Sequence, residues 1–91
     1  MNTYLISYDL IQNKDYSSLL KKLEDYTRWA RPLKSVWLIK TSETVAQVRD
    51  TLLNCVDPDD KLLVIDVTGA AWGTFNVSKE VTDWIRSNLS E

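Results

Sequence analysis

Residues 3–9 read Thr-Tyr-Leu-Ile-Ser-Tyr-Asp, and the reading of this heptad decides the fold. It is rich in aromatic and β-branched residues and runs with a period of two, the signature of a strand that buries one face. Tyr4, Ile6 and Tyr8 take one side, and Leu5, Ser7 and Asp9 take the other. A strand of this kind needs sheet neighbours and a covering layer, so the rest of the chain is read for them.

Downstream, Asp15 is placed to cap an amphipathic helix of about four turns. Leu19, Leu20, Leu23 and Tyr26 recur at helical spacing, with Lys21, Lys22, Glu24 and Asp25 on the exposed side. Thr27 to Thr41 is too β-rich, and too interrupted by Pro32, to prolong that helix. It predicts a short edge strand over Trp29–Leu33 and a firmer strand over Ser35–Thr41, joined as a tight hairpin. Ser42 is the expected cap of a second helix, with Glu43 at its positive end and Val45, Val48, Leu52 and Val56 on the buried stripe. Asp57-Pro58-Asp59-Asp60 reads as a turn, and Lys61–Val67 as the last strand. A loop from Gly69 to Gly73 leads to a third helix capped by Ser78, with Val81, Trp84, Ile85 and Leu89 inward. The order is βαββαβ plus a C-terminal helix. It predicts one α+β domain over residues 1–91, of ferredoxin-like type: an antiparallel sheet with helices on one face, a core over 3–67 and an extension over 68–91.

Composition removes several chemistries. There is no histidine and only one cysteine, Cys55, which excludes an intramolecular disulfide, Cys/His zinc sites, Ser-His-Asp and Cys-His nucleophile pairs and a histidine general base. Neither zinc nor haem is expected. Cys55 reads as a small buried apolar residue near a helix end. Any catalysis would fall to carboxylates, lysines, tyrosines, hydroxyls or a hard cation. No signal-peptide pattern opens the chain and no window reaches the ~20 apolar residues of a membrane helix, so a cytoplasmic, soluble protein is expected. The formal charge is −2 with a pI near 5.0, so nucleic-acid binding would require a local basic patch.

With the last strand beside the first and the first beside the third, several polar residues share one edge of the sheet. Asp9 ends its strand there, Lys34 and Ser35 begin the next, and Asp57, Asp59 and Asp60 lead into Lys61, while Asp66 falls at the opposite end. The face carrying Leu5, Ser7 and Asp9 is expected to stay partly open and to be covered by a homodimer. A two-fold axis would bring two Asp9 carboxylates together, an arrangement that calls for a divalent cation or a shared proton. The other reading of Asp9 is a strand-end aspartate that satisfies backbone amides in the following turn. Trp29 with Arg28, Arg31 and Lys34 interleaves aromatic and basic groups as nucleic-acid surfaces do, although a solvated edge with one packing Trp has the same pattern. Tyr4, Tyr8, Trp37 and Trp84 read as core or interface.

Tyr4-Leu5-Ile6-Ser7-Tyr8-Asp9-Leu10, the helix beginning near Asp15, and Ser35-Val36-Trp37-Leu38-Ile39 resemble the small CRISPR-associated endonuclease and adaptation subunit that partners the CRISPR integrase. They look even more like its short stand-alone relatives, together with virulence-associated protein D. The resemblance spans residues 3–67. It implies a ferredoxin-like homodimer and, in active members, Mg2+- or Mn2+-dependent cleavage of RNA or DNA phosphodiesters. Asp9 maps onto the metal-binding catalytic aspartate and Ser35 onto a secondary catalytic position; any nucleic acid would be expected at the interleaved Arg28, Arg31 and Lys34. The chain departs from the pattern in its acidic pI, its sparse basic residues, and a Gly69–Phe75 segment and Trp84 helix where a further strand is usual. A catalytically inactive dimeric scaffold or binding module, or a toxin–antitoxin component, stands as the alternative.

Overall fold

The computed structural model describes residues 1–11 and 16–90; Asp15, the expected first cap, lies outside them. The elements are β1 (Asn2–Asp9), α1 (Ser17–Glu24), β2 (Arg28–Leu33), β3 (Val36–Thr41), α2 (Val45–Leu53), β4 (Lys61–Asp66) and α3 (Lys79–Asn88). They form an α+β structure whose four strands pair antiparallel in the order β2-β3-β1-β4. The expected neighbours, β4 beside β1 and β1 beside β3, are the ones found.

The alternation in β1 sets the layers. Tyr4, Ile6 and Tyr8 join Trp37 and Ile39 of β3 in one buried cluster, capped by Leu19 and Leu23 of α1 and by Val48 and Leu52 of α2. Each fully buried aliphatic side chain of this kind contributes about 1.5–3 kcal/mol, so this layer is the principal source of stability. Cys55 packs at its margin, half-buried.

Three local expectations are corrected. The first helix is only eight residues long, a little over two turns, because Tyr26 and Thr27 lead directly into β2. The cap of α2 is Thr44 rather than Ser42: its hydroxyl accepts from the Gln47 N–H while the Gln47 side chain accepts from the Thr44 N–H. That reciprocal pair satisfies two helix-end donors at once, which Ser42, with Val45 three residues on, has no means to do. Val45 consequently sits at the exposed start of the helix.

The third correction concerns the open face. α1 and α2 cover the Tyr4 side, but α3 crosses the opposite side, where Ile85 and Leu89 pack with Leu38 and against Leu5 in a second cluster. Helices therefore lie on both faces, and the face expected to be left for a partner is half covered. The amphipathic pattern of α3 is as predicted: Ser78 caps it by accepting from the Val81 N–H at 3.2 Å, and Ile85 and Leu89 are buried. Its far end is latched to the sheet, since the Thr3 hydroxyl donates to the Asn88 carbonyl and the Gly69 N–H to the Leu89 carbonyl. Gly69 adopts φ 73, a backbone conformation that favours glycine.

The two edges of the sheet differ. β2 carries Pro32 and a register shift between Ala30 and Leu33. β4 carries neither and exposes Leu63 and Ile65.

Candidate functional site

Asp9 lies exposed at the end of β1, and its register partner across the strand pair is Lys61, the first residue of β4. Alternation puts Asp9 on the face of Leu5 and Ser7. A shallow cleft of about 190 Å³ there is lined by Ser7, Tyr8, Asp9, Lys61, Leu62 and Leu63. Ser7 and Lys61 were placed from sequence on the open face and at this sheet edge, but not as site residues. The signal that finds them is register: once β4 is paired with β1 so that its apolar run matches Ile6 to Tyr8, Lys61 falls opposite Asp9.

On the other side of β1 sits the two-residue hairpin turn, Lys34–Ser35, held by an internal polar network. The Ser35 carbonyl accepts from the Tyr8 N–H at 3.2 Å. The Lys34 carbonyl accepts from the Tyr8 hydroxyl at 3.1 Å and from Arg31 Nε and Nη2 at 3.0 and 2.7 Å. Trp37 Nε1 donates to the Tyr8 hydroxyl at 3.1 Å, and the Arg31 guanidinium lies over the Trp37 ring, 5.1 Å from its centroid. Charge-assisted, forked bonds of this kind fix geometry as well as contributing energy. The turn is therefore clamped to the strand that carries Asp9, while the side chains of Lys34 and Ser35 stay exposed.

The five residues predicted from sequence thus separate. Asp9, Lys34 and Ser35 share one end of the sheet. Arg31, in β2, holds the turn through the Lys34 carbonyl. Arg28 lies at the opposite end of β2, in register with Lys40, and Trp29 packs on Trp37 with ring centroids 4.9 Å apart.

The acidic turn before β4 has a structural task. Asp60 Oδ1 accepts from the Ile11 N–H and the Tyr16 hydroxyl, both at 3.0 Å, and Oδ2 accepts from the Asp57 N–H at 2.8 Å. This carboxylate ties both flanks of the β1–α1 connection to the β4 turn. At the far end, Asp66 accepts from the Thr68 N–H, and its bonds to Thr68 hold its carboxyl below the usual carboxylate range. Tyr26 behaves in the opposite sense: burial pushes its phenol well above the ordinary tyrosine range. The neighbouring Glu43 carboxylate adds to this, as an acceptor beside the phenol and as a charge, although the Tyr26 hydroxyl has no partner within strict hydrogen-bonding geometry.

Among the described residues no three Asp, Glu or Cys side chains are grouped to hold a metal ion. Asp9 brings one hard carboxylate ligand to its cleft, and Mg2+ is commonly held by one or two protein carboxylates with water and substrate phosphate completing its shell. Asp9 is the one acidic side chain in the lining of that cleft. None of the described helices is long and apolar enough to cross a membrane.

A family model described as CRISPR associated protein Cas2 matches residues 1–75. The match covers every element from β1 to β4 together with the loop that reaches Phe75. No solved structure matches the chain.

Proposed function

The chain belongs to the CRISPR associated protein Cas2 family, and on that premise we propose that it is a homodimeric, nuclease-like protein that cleaves RNA or DNA phosphodiesters with Mg2+ or Mn2+ bound at Asp9. The observation that carries this reading is the position of Asp9, an exposed carboxylate at a strand end, in a cleft with Ser7 and Lys61 and beside the clamped Lys34–Ser35 turn. The β2-β3-β1-β4 order, with α1 and α2 on one face, supports the ferredoxin-like reading of the fold.

Each residue has a task in this scheme. A carboxylate is a weak base at neutral pH and activates water poorly unaided; a divalent cation held by it supplies an acidified water and a polarised phosphate. Asp9 from each of two copies would hold that cation, and the charge repulsion between the pair would become binding energy. Lys61 and Lys34 flank the cleft with positive charge, which draws in a phosphate backbone despite the net charge of −2. Ser35, on its clamped turn, can donate to a phosphate oxygen.

The test is cleavage of single- and double-stranded RNA and DNA by the wild type and Asp9→Asn, with Mg2+, Mn2+ or EDTA, alongside thermal melting. Cleavage is expected to need metal and to vanish in the variant, whose melting temperature stays level or rises. Cleavage that survives EDTA or the substitution would sink the mechanism. A dimer that cleaves no substrate with any metal would instead favour the inactive scaffold.

A further inference from the structure

Beneath α3, between the helix, the sheet and the loop that follows β4, lies a cavity of about 360 Å³. Its walls are almost entirely carbon: Leu5 and Leu38 from the sheet, Leu33 from β2, Trp72 and Val77 from the loop, and Ile85 from the helix. A dry cavity of about 150 Å³ lined by aliphatic and aromatic side chains is enough to take up benzene, so this one has room for a phenyl ring. At its rim stands Phe75, 87% exposed, with nearly all of its apolar surface left in water.

The loop is built to hold that ring outward. The Ala70 N–H bonds the Val67 carbonyl at 3.0 Å and the Gly69 N–H bonds the Leu89 carbonyl, fixing the start of the loop to the sheet and to α3. The Arg86 guanidinium lies 5.8 Å from the Trp72 ring centroid, and this holds the middle of the loop against the helix. Asn76 takes φ 57, the left-handed conformation that Asn tolerates better than most residues, and so turns the chain sharply next to Phe75. An exposed aromatic knob and an apolar hole thus sit on one face of one chain, the self-complementary arrangement that a two-fold interface requires.

We propose that the cavity is the socket for Phe75 of a second copy, two chains exchanging Phe75 rings across a two-fold axis. This deepens the homodimer reading given above and rests on it. Leu33, 58% exposed, and Trp72, 40% exposed, would be covered by the same contact. A buried aromatic anchor in a desolvated pocket is the usual energetic centre of an interface.

The test is the solution mass of the full chain by light scattering and sedimentation across micromolar concentrations, for the wild type, Phe75→Ala and Phe75→Leu. The wild type is expected at twice the 10.5 kDa chain mass. Phe75→Ala removes two anchors per dimer and should weaken association on the order of a hundredfold or more, Phe75→Leu less, both with unchanged melting of the monomer because the ring is exposed there. If the wild type is dimeric and Phe75→Ala associates equally well, the exchange is overturned and the homodimer stands. If the wild type stays at 10.5 kDa throughout, the homodimer reading falls and the exchange with it.

Discussion

Replacing Ile85 by Ala tests how firmly α3 is held on the face that carries Asp9. Ile85 is 4% exposed and packs with Leu38 and Leu89 over Leu5. Truncating a buried aliphatic side chain to Ala costs about 2–5 kcal/mol, rising with the volume of the void left behind. Here the void merges with a cavity that already exists and opens to solvent, which places the cost near the low end, about 2–3 kcal/mol. Ile6, fully buried between the sheet and both α1 and α2, has no such relief, and Ile6→Ala should cost about 4–5 kcal/mol. For a domain of this size the Ile85→Ala loss corresponds to a fall in melting temperature of about 10–20 °C. Urea unfolding followed by circular dichroism gives the free energies, and amide exchange locates them. Exchange in α3 should accelerate more than in β1, because the helix can open without the main core. A loss below about 1 kcal/mol, or equal acceleration of α3 and β1, would show that the helix is not seated on Leu5 and Leu38 as described.

Two further substitutions probe polar groups away from the cleft. Tyr26→Phe should stabilise the protein by about 1 kcal/mol at neutral pH, since it removes a buried hydroxyl that has no partner. Because burial raises the folded-state pKa of this phenol, stability is independent of its titration below the unfolded value near 10 and falls as pH rises beyond it. Alkaline melting should therefore be steeper for the wild type than for Tyr26→Phe, and a variant less stable than its parent by about 1 kcal/mol would show that the hydroxyl is bonded after all. Asp60→Asn places an amide N–H₂ against N–H and O–H donors that now meet a carboxylate, and should cost about 1–2 kcal/mol in urea melts without changing the solution mass. A neutral result would mean that the tie between the two loops contributes nothing.

Much of this architecture is legible in the chain because it rests on local periodicity. The alternation of Tyr4, Ile6 and Tyr8 fixes which side of β1 is core, the break after Leu33 fixes the hairpin, although Ser35 belongs to the turn rather than to the strand, and Ser78 ahead of Val81 and Ile85 fixes the start and inner stripe of α3. The cap of α2 was also available, since Thr44-x-x-Gln47 has the capping-box spacing that Ser42-x-x-Val45 lacks. What periodicity cannot reveal is the face on which a helix lands: the stripe of α3 would fit either side of the sheet, and the Tyr4 side is filled by α1 and α2. Arg31 escapes for a similar reason. A basic residue beside Trp29 reads as a nucleic-acid contact until the turn is built and the Lys34 carbonyl stands within reach of its guanidinium. At the site, the shared sheet end of Asp9, Lys34, Ser35 and Lys61 follows from strand order alone, whereas the place of Lys61 directly opposite Asp9 needs the register.

The unequal edges of the sheet also bear on how the protein behaves when crowded. Edge strands present unpaired main-chain donors and acceptors, and continuous strand-on-strand growth needs a receptive edge on both sides of every unit. On β2, Pro32 has no N–H to offer and the irregularity beside it spoils the repeat. On β4 the run Lys61 to Asp66 is regular and carries Leu63 and Ile65 in the open. Two molecules meeting edge to edge would join β4 to β4 and leave only β2 edges outward, so the pairing stops at two. Accidental strand addition in this protein is thereby self-limiting, ending in a closed pair rather than a fibre.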